Sequence, residues 1–169
     1  MRAIDLIIGS DHRGYELKEY LTKFLTPLDE DTKYNITTFM DVGAYFENTK
    51  LDYPDVVQAM VKEIETPDKK SAGWDTFNRG ILICGSGLGV CMAANRHPFV
   101  RAVTVRTPEE AKMARLHNDA NILCLGADFT PNRTAKKIVE AFLTTEFEGG
   151  RHKKRIKKFS WFDYTHKMK

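Results

Sequence analysis

Cysteine is scarce: Cys84, Cys91 and Cys124 are an odd number with no close pair. That argues against a disulfide framework and suits free thiols in a reducing compartment. No apolar run approaches the roughly 20 residues that a membrane-spanning helix needs. The opening Met-Arg-Ala-Ile-Asp-Leu-Ile-Ile-Gly is interrupted by Asp5 and followed by no small-residue cleavage site, which argues against a signal peptide and favours a cytoplasmic location. Neither sign of charge dominates, the formal net charge being +3, and no low-complexity tract or internal repeat is present. Fibrous, disordered and membrane classes are therefore excluded. What remains is 169 residues, 42% hydrophobic and 29% charged, enough for one domain with a substantial core.

Apolar runs rich in Ile, Leu and Val alternate with segments of helical period, the pattern of βα units around a parallel sheet covered on both faces. Strands are predicted over Ile4 to Gly9, Ile36 to Gly43, Gly80 to Cys84, Val100 to Val105 and Ile122 to Leu125. Helices are predicted over Tyr15 to Leu25 and Asp55 to Ile64, from near Leu88, Pro108 and Thr130, and over Arg151 to Phe159. The second helix is expected to start just after Pro54, because proline disfavours helical geometry at the residue before it. Polar stretches near 26–34 and 67–78 read as surface insertions within the single domain, since neither is long enough to separate two cores.

In an open parallel sheet a ligand lies at the carboxyl ends of the strands. That rule selects Asp11 and His12, the loop Cys84-Gly85-Ser86-Gly87-Leu88-Gly89, and the residues near Gly126. The loop is not a Walker motif, for no Gly-Lys-Ser/Thr follows, nor a dinucleotide fingerprint, since Val90 stands where its third glycine would be. Cys84 replaces the glycine that a serine nucleophile elbow would need before Ser86. A tight loop whose N–H groups meet an anion remains, with Cys84 beside it as a thiolate base. Read alone, Cys84 is more readily a small apolar cap on a buried strand. Cys91 and Cys124, lying within a helix and a strand, read as structural thiols.

His117 ends the fourth helix before the stop sequence Asn118-Asp119-Ala120-Asn121. It is either a cap or, with substrate nearby, an acid–base group at a turn within reach of the sheet's carboxyl edge. His12, His97, His117, His152 and His166 show no zinc-type pairing, so no metal is expected. Arg151 and Arg155 are four apart and share a helix face that could grip a phosphate. The surrounding Lys153, Lys154, Lys157 and Lys158 also fit a solvated face or a polyanion-binding module, although no aromatic platform for nucleic acid accompanies them.

Five blocks, Gly9-Ser10-Asp11-His12, Asp52-Tyr53-Pro54, Gly80 to Gly87, His117 to Asn121 and Glu148-Gly149-Gly150-Arg151-His152, together resemble the ribose-5-phosphate isomerase B family, with its allose and galactose phosphate isomerases, from Ile4 to Phe159. The resemblance implies a Rossmann-like three-layer α/β/α sandwich with a five-stranded parallel sheet and an extended C-terminal helix. It implies a cofactor-free aldose–ketose isomerase of a sugar phosphate, ribose 5-phosphate before tetrulose, allose or galactose phosphates. By position, Cys84 would move the proton between C1 and C2 with Ser86 assisting, and the N–H groups of Gly85, Gly87 and Gly89 would hold a cis-enediolate. His117 would open the ring beside Asp11 and His12, Tyr53 and Asn118 would bind hydroxyls, and Arg151 and Arg155 would hold the phosphate. A homodimer or dimer of dimers with shared sites is implied, with neither nucleic acid nor membrane as partner. Where the family carries a phosphate-binding arginine after Leu125-Gly126-Ala127, this chain has Asp128, and Arg13 is the expected substitute.

Overall fold

The computed structural model describes residues 3–26, 34–46, 50–64 and 78–162, so the two predicted polar insertions and the last residues fall largely outside the described chain. Five parallel strands, β1 (Ile4–Ser10), β2 (Ile36–Asp41), β3 (Asn78–Cys84), β4 (Ala102–Thr104) and β5 (Ile122–Gly126), form one sheet in the order β2-β1-β3-β5-β4. The helices are α1 (Tyr15–Leu25), α2 (Tyr53–Ile64), α3 (Leu88–Ala94), α4 (Pro108–Asn118), α5 (Asn132–Thr144) and α6 (Gly150–Ile156). The predicted C-terminal helix leaves α geometry after Ile156 and continues as a 3-10 turn over Lys157–Phe162. Helix α2 begins at Tyr53, ahead of the position that Pro54 suggested.

Strand alternation divides the core into two apolar layers. Ile81, Ile83, Leu123 and Leu125 pack with Leu17 and Leu21 of α1, Ala111 of α4 and Ile138 and Phe142 of α5. Leu82, Cys84, Ile122 and Cys124 face the other way, against Val56 and Met60 of α2 and Val90 and Ala94 of α3. Helices thus cover both faces, in three layers. Cys84 belongs to the α2/α3 side.

Local chemistry explains the boundaries that matter for the site. Thr107 accepts the Glu110 N–H at 3.2 Å while Glu110 accepts the Arg106 N–H at 2.7 Å, and Pro108 follows the cap, so α4 starts firmly. It ends at Asp119, which takes left-handed geometry at φ 46°. Asp119 also binds Arg115 Nη1 at 2.8 Å and Arg101 Nη2 at 2.9 Å, gathering two cations at the amino end of β5. Lys18 on α1 is wholly buried and ion-pairs with Asp41 at the end of β2 and with Glu19, fastening the edge strand to the helix beneath it.

Candidate active site

Strand order reverses about β1 and β3, the place where an open parallel sheet leaves a crevice. Asp11 follows β1 there. Its Oδ1 accepts the N–H groups of Arg13 and Gly14, both at 3.0 Å, winding the chain into a 3-10 turn that leaves His12 and Arg13 exposed. The Asp11 carboxylate therefore already serves the backbone. His12 Nδ1 lies 3.2 Å from the Leu51 carbonyl, and since a carbonyl only accepts, Nδ1 carries the proton and Nε2 is left as the acceptor.

Beside this turn, β3 delivers Cys84 to the glycine loop. The Gly87 N–H donates to Cys84 Sγ at 3.1 Å, and the Leu88 N–H donates to Ser86 Oγ at 3.2 Å. The Gly87 amide, one of those expected to face an anion, is thus aimed at the sulfur, and the Leu88 amide at a hydroxyl. The loop is held from its flank as well: the Ala127 N–H donates to the Cys84 carbonyl at 2.8 Å, the Asp128 N–H to that of Gly85 at 3.0 Å, and Thr104 Oγ1 to that of Gly87 at 2.8 Å. Gly87 has φ +76°, which only glycine adopts without strain. At Gly89 a Cβ would stand 2.9 Å from the Tyr53 ring, so that ring lies directly against the first turn of α3.

Arg13 extends over the loop to Asp128, Nη2 to Oδ2 at 2.6 Å. A Cβ on Gly85 would come within 2.5 Å of Arg13 Nε. The negative charge at 128 is therefore paired, and the pair borders the loop at the carboxyl edge.

His117, Asn118, Arg151 and Arg155 are somewhere else. Helix α4 runs back antiparallel to the strands, so its last turn lies at the amino edge of the sheet, where the Gly80 N–H donates to the Asn121 carbonyl at 2.9 Å. Gly80 precedes Cys84 by four residues, about 13 Å at the usual strand rise. The expectation that His117 reaches the carboxyl edge is thereby overturned within one chain: return helices place their ends opposite the strand ends.

At the amino edge His117 and His152 stack, ring centroids 4.2 Å apart and planes 6° from parallel. Glu148 Oε2 lies 3.8 Å from His117 Nε2 and 3.9 Å from His152 Nε2, and Arg151 Nε 3.4 Å from His152 Nε2. Burial of His152, reinforced by its His117 neighbour, depresses its pKa below 6.5 against the opposing pull of Glu148. Arg151, Arg155 and Asn118 are exposed around this pair. The three side chains offer ligand atoms within 4.8 Å of one another. A bound ion would have to lie in the plane of each imidazole, however, and two stacked, parallel planes share no such point. Glu148 and the buried His152 were given no role from sequence; their i,i+4 spacing was the available signal.

The site residues therefore form two clusters, Cys84 with Asp11, His12, Arg13, Tyr53 and Ser86 at one edge, and His117 with Asn118, Arg151 and Arg155 at the other. Among the described residues no helix is long and apolar enough to cross a membrane.

A family model described as Ribose/Galactose Isomerase matches residues 6–159, spanning both clusters. The chain is 35% identical over 151 residues to the ribose-5-P isomerase B of Listeria innocua, covering 89% of this chain and 91% of that protein. Ribose 5-phosphate isomerase B from Anaplasma phagocytophilum superposes with a TM-score of 0.79 at 36% identity, over 94% of this chain and 98% of that one. The Mycoplasma genitalium ribose-5-phosphate isomerase B with bound ribulose-5-phosphate gives 0.78 at 36% identity, over 94% and 95%. Fold and sequence thus agree over most of the chain's length, and the chain belongs to the ribose/galactose isomerase family as an aldose–ketose isomerase.

Proposed function

We propose that the protein interconverts ribose 5-phosphate and ribulose 5-phosphate through a cis-enediolate, in active sites that each combine the carboxyl-edge cluster of one chain with the amino-edge cluster of a second copy. The observation that carries the reaction is the Gly87 N–H directed at Cys84 Sγ, at the mouth of a loop tied down on its flank. The observation that supports two chains is the separation of His117 and Arg151 from Cys84 by the length of a strand.

In this reading the Cys84 thiolate removes the proton from C2 of the aldose and returns it to C1, while Ser86 passes a proton between the two oxygens. A positioned base of this kind contributes about 10²- to 10⁴-fold. Carbon acidity is the difficult term, and fixed donors beside the developing oxyanion lower it without reorganising. His12, with Nε2 open, receives a sugar hydroxyl; Tyr53 covers the substrate from α2. His117 of the second chain opens the furanose ring, Asn118 binds a hydroxyl, and Arg151 and Arg155 hold the phosphate by charge-assisted bonds. The basic segment after Gly150 then has a small anion as its ligand. No cofactor takes part in these steps.

Incubation with ribose 5-phosphate in deuterated water tests the proposal. Ribulose 5-phosphate should form with deuterium entering at C1, and Cys84→Ala should abolish both signals. Turnover of allose or galactose phosphate in preference to the pentose would shift the substrate while keeping the mechanism.

A further inference from the structure

Between His117 and Arg151 stands a side chain that the reaction proposed above does not use. His152, in the first turn of α6, is buried, while Arg151 before it and Lys153, Lys154 and Arg155 after it lie open. Its ring touches two functional groups at once. One face lies on the His117 imidazole, with centroids 4.2 Å apart and planes 6° from parallel. The ring edge meets Arg151, whose Nε donates to His152 Nε2 at 3.4 Å. A guanidinium has no acceptor, so Nε2 is the bare nitrogen of a neutral ring and Nδ1 carries the proton. Burial, joined by the His117 neighbour and the Arg151 and Arg155 guanidiniums, lowers the pKa of His152 below 6.5 against the pull of Glu148, which favours that neutral form.

The ring is held in turn. The segment leading into α6 is docked on the last turn of α4, where Arg115 Nε donates to the Thr145 carbonyl at 3.3 Å and the Glu148 N–H to the Leu116 carbonyl at 3.1 Å. The His152 N–H donates to the Gly149 carbonyl at 3.0 Å, and Glu148 Oε2 faces the Nε2 atoms of both histidines within 4 Å. His152 is thereby fixed against α4, the helix that carries His117. An exposed arginine samples many rotamers, and ordering it costs affinity when an anion binds. With Nε spent on His152, the Nη1 and Nη2 edge of Arg151 stays free for a two-point grip on a phosphate.

We propose that His152 is a positioning residue for the phosphate half of the site: its bare Nε2 aims the Arg151 guanidinium, and its ring face sets the plane of the His117 imidazole. One buried ring thus keeps the group that holds the phosphate and the group that opens the sugar in fixed relation to each other. The proposal rests on the isomerase reading of the amino-edge cluster.

Steady-state kinetics on ribose 5-phosphate, with inorganic phosphate binding measured by calorimetry, provide the test. His152→Phe keeps a flat face for His117 but offers Arg151 no acceptor, so KM and the phosphate dissociation constant should rise about five-fold with kcat within about two-fold of wild type. His152→Gln, whose amide oxygen takes the place of Nε2, should bring both constants back towards wild type. His152→Ala removes face and acceptor together and should lower kcat about ten-fold as well. In an Arg151→Ala background, His152→Phe should raise KM no further. Unchanged constants in His152→Phe, or a rise that persists undiminished without Arg151, overturns the hold on Arg151. Equal kcat in His152→Phe and His152→Ala overturns the hold on His117. If His152→Phe does not fold, nitrogen-15 NMR of the unmutated protein decides, since the proposal requires the Nδ1–H tautomer of His152 and an Nε2–H tautomer overturns it. An unmutated protein that binds phosphate without turning over ribose 5-phosphate overturns the isomerase reading; phosphate binding left unweakened by His152→Phe then overturns the positioning role too.

Discussion

Arg13 and Asp128, 115 residues apart in sequence, meet across Gly85 with 2.6 Å between Nη2 and Oδ2. Both side chains are about half exposed, 58% and 41%, so the pair contributes at most about 1 kcal/mol to stability. Its weight lies in the field at the loop. Arg13→Ala should raise KM for a phosphorylated sugar about ten-fold or more at low salt, less as salt screens the contact. Asp128→Arg should partly rescue that variant. Steady-state kinetics over a salt series decide, and an unchanged KM in Arg13→Ala would show that the ion pair only holds the loop.

Cys84→Ala should remove turnover while leaving the melting temperature and substrate affinity nearly as they were, since a base acts in the transition state rather than in ground-state binding. Single-turnover assays with equilibrium binding of ribose 5-phosphate separate these quantities. Near-normal turnover would dismiss the thiol as the base.

The two clusters invite a complementation experiment. Cys84→Ala and His117→Ala should each be inactive alone; after mixing through denaturation and refolding, mixed dimers carry one site with both halves intact. Random pairing should restore about a quarter of wild-type activity. No recovery from soluble, folded mixtures would mean that the sites are not shared.

His152 sits with a depressed pKa against His117, so the unfolded chain binds more protons than the folded one between that lowered value and 6.5. Its contribution is complete above about pH 6.5 and is lost as pH falls through this window. Thermal melting between pH 7.5 and 5 should show the decline, and His152→Phe should flatten that part of the curve. An unaltered pH profile in His152→Phe would assign the decline to other groups.

Lys18, with no exposed side-chain surface, depends on Asp41 and Glu19. Asp41→Ala should cost about 3 kcal/mol, the low end for a broken buried pair because Glu19 still faces the ammonium, whereas Lys18→Met should be near neutral. Urea unfolding of both variants checks the asymmetry.

The sheet was legible because its strands are continuous apolar runs, as strands covered on both faces must be, and the loop because Cys84 to Gly89 has few alternative uses. Boundaries such as Tyr53 and Ile156 were less so, being set by packing and by competition between α and 3-10 geometry. His117 was misplaced for a topological reason: its motif names a turn, and only the return direction of α4 says which edge the turn occupies. The Arg13–Asp128 pair joins distant segments and leaves no local pattern to read. The role of Glu148 had to wait for the stacking of His152 on His117.

A strand's length between His117 and Cys84 has a consequence for how such an enzyme behaves on dilution. If its working sites form only between chains, specific activity becomes a function of the protein's own concentration: flat while chains are paired, then falling as pairs dissociate. Ribose 5-phosphate gripping both halves would hold the pairs together, so that substrate acts as a mortar for the assembly that consumes it. Progress curves started from dilute enzyme would then show a lag that preincubation with substrate removes.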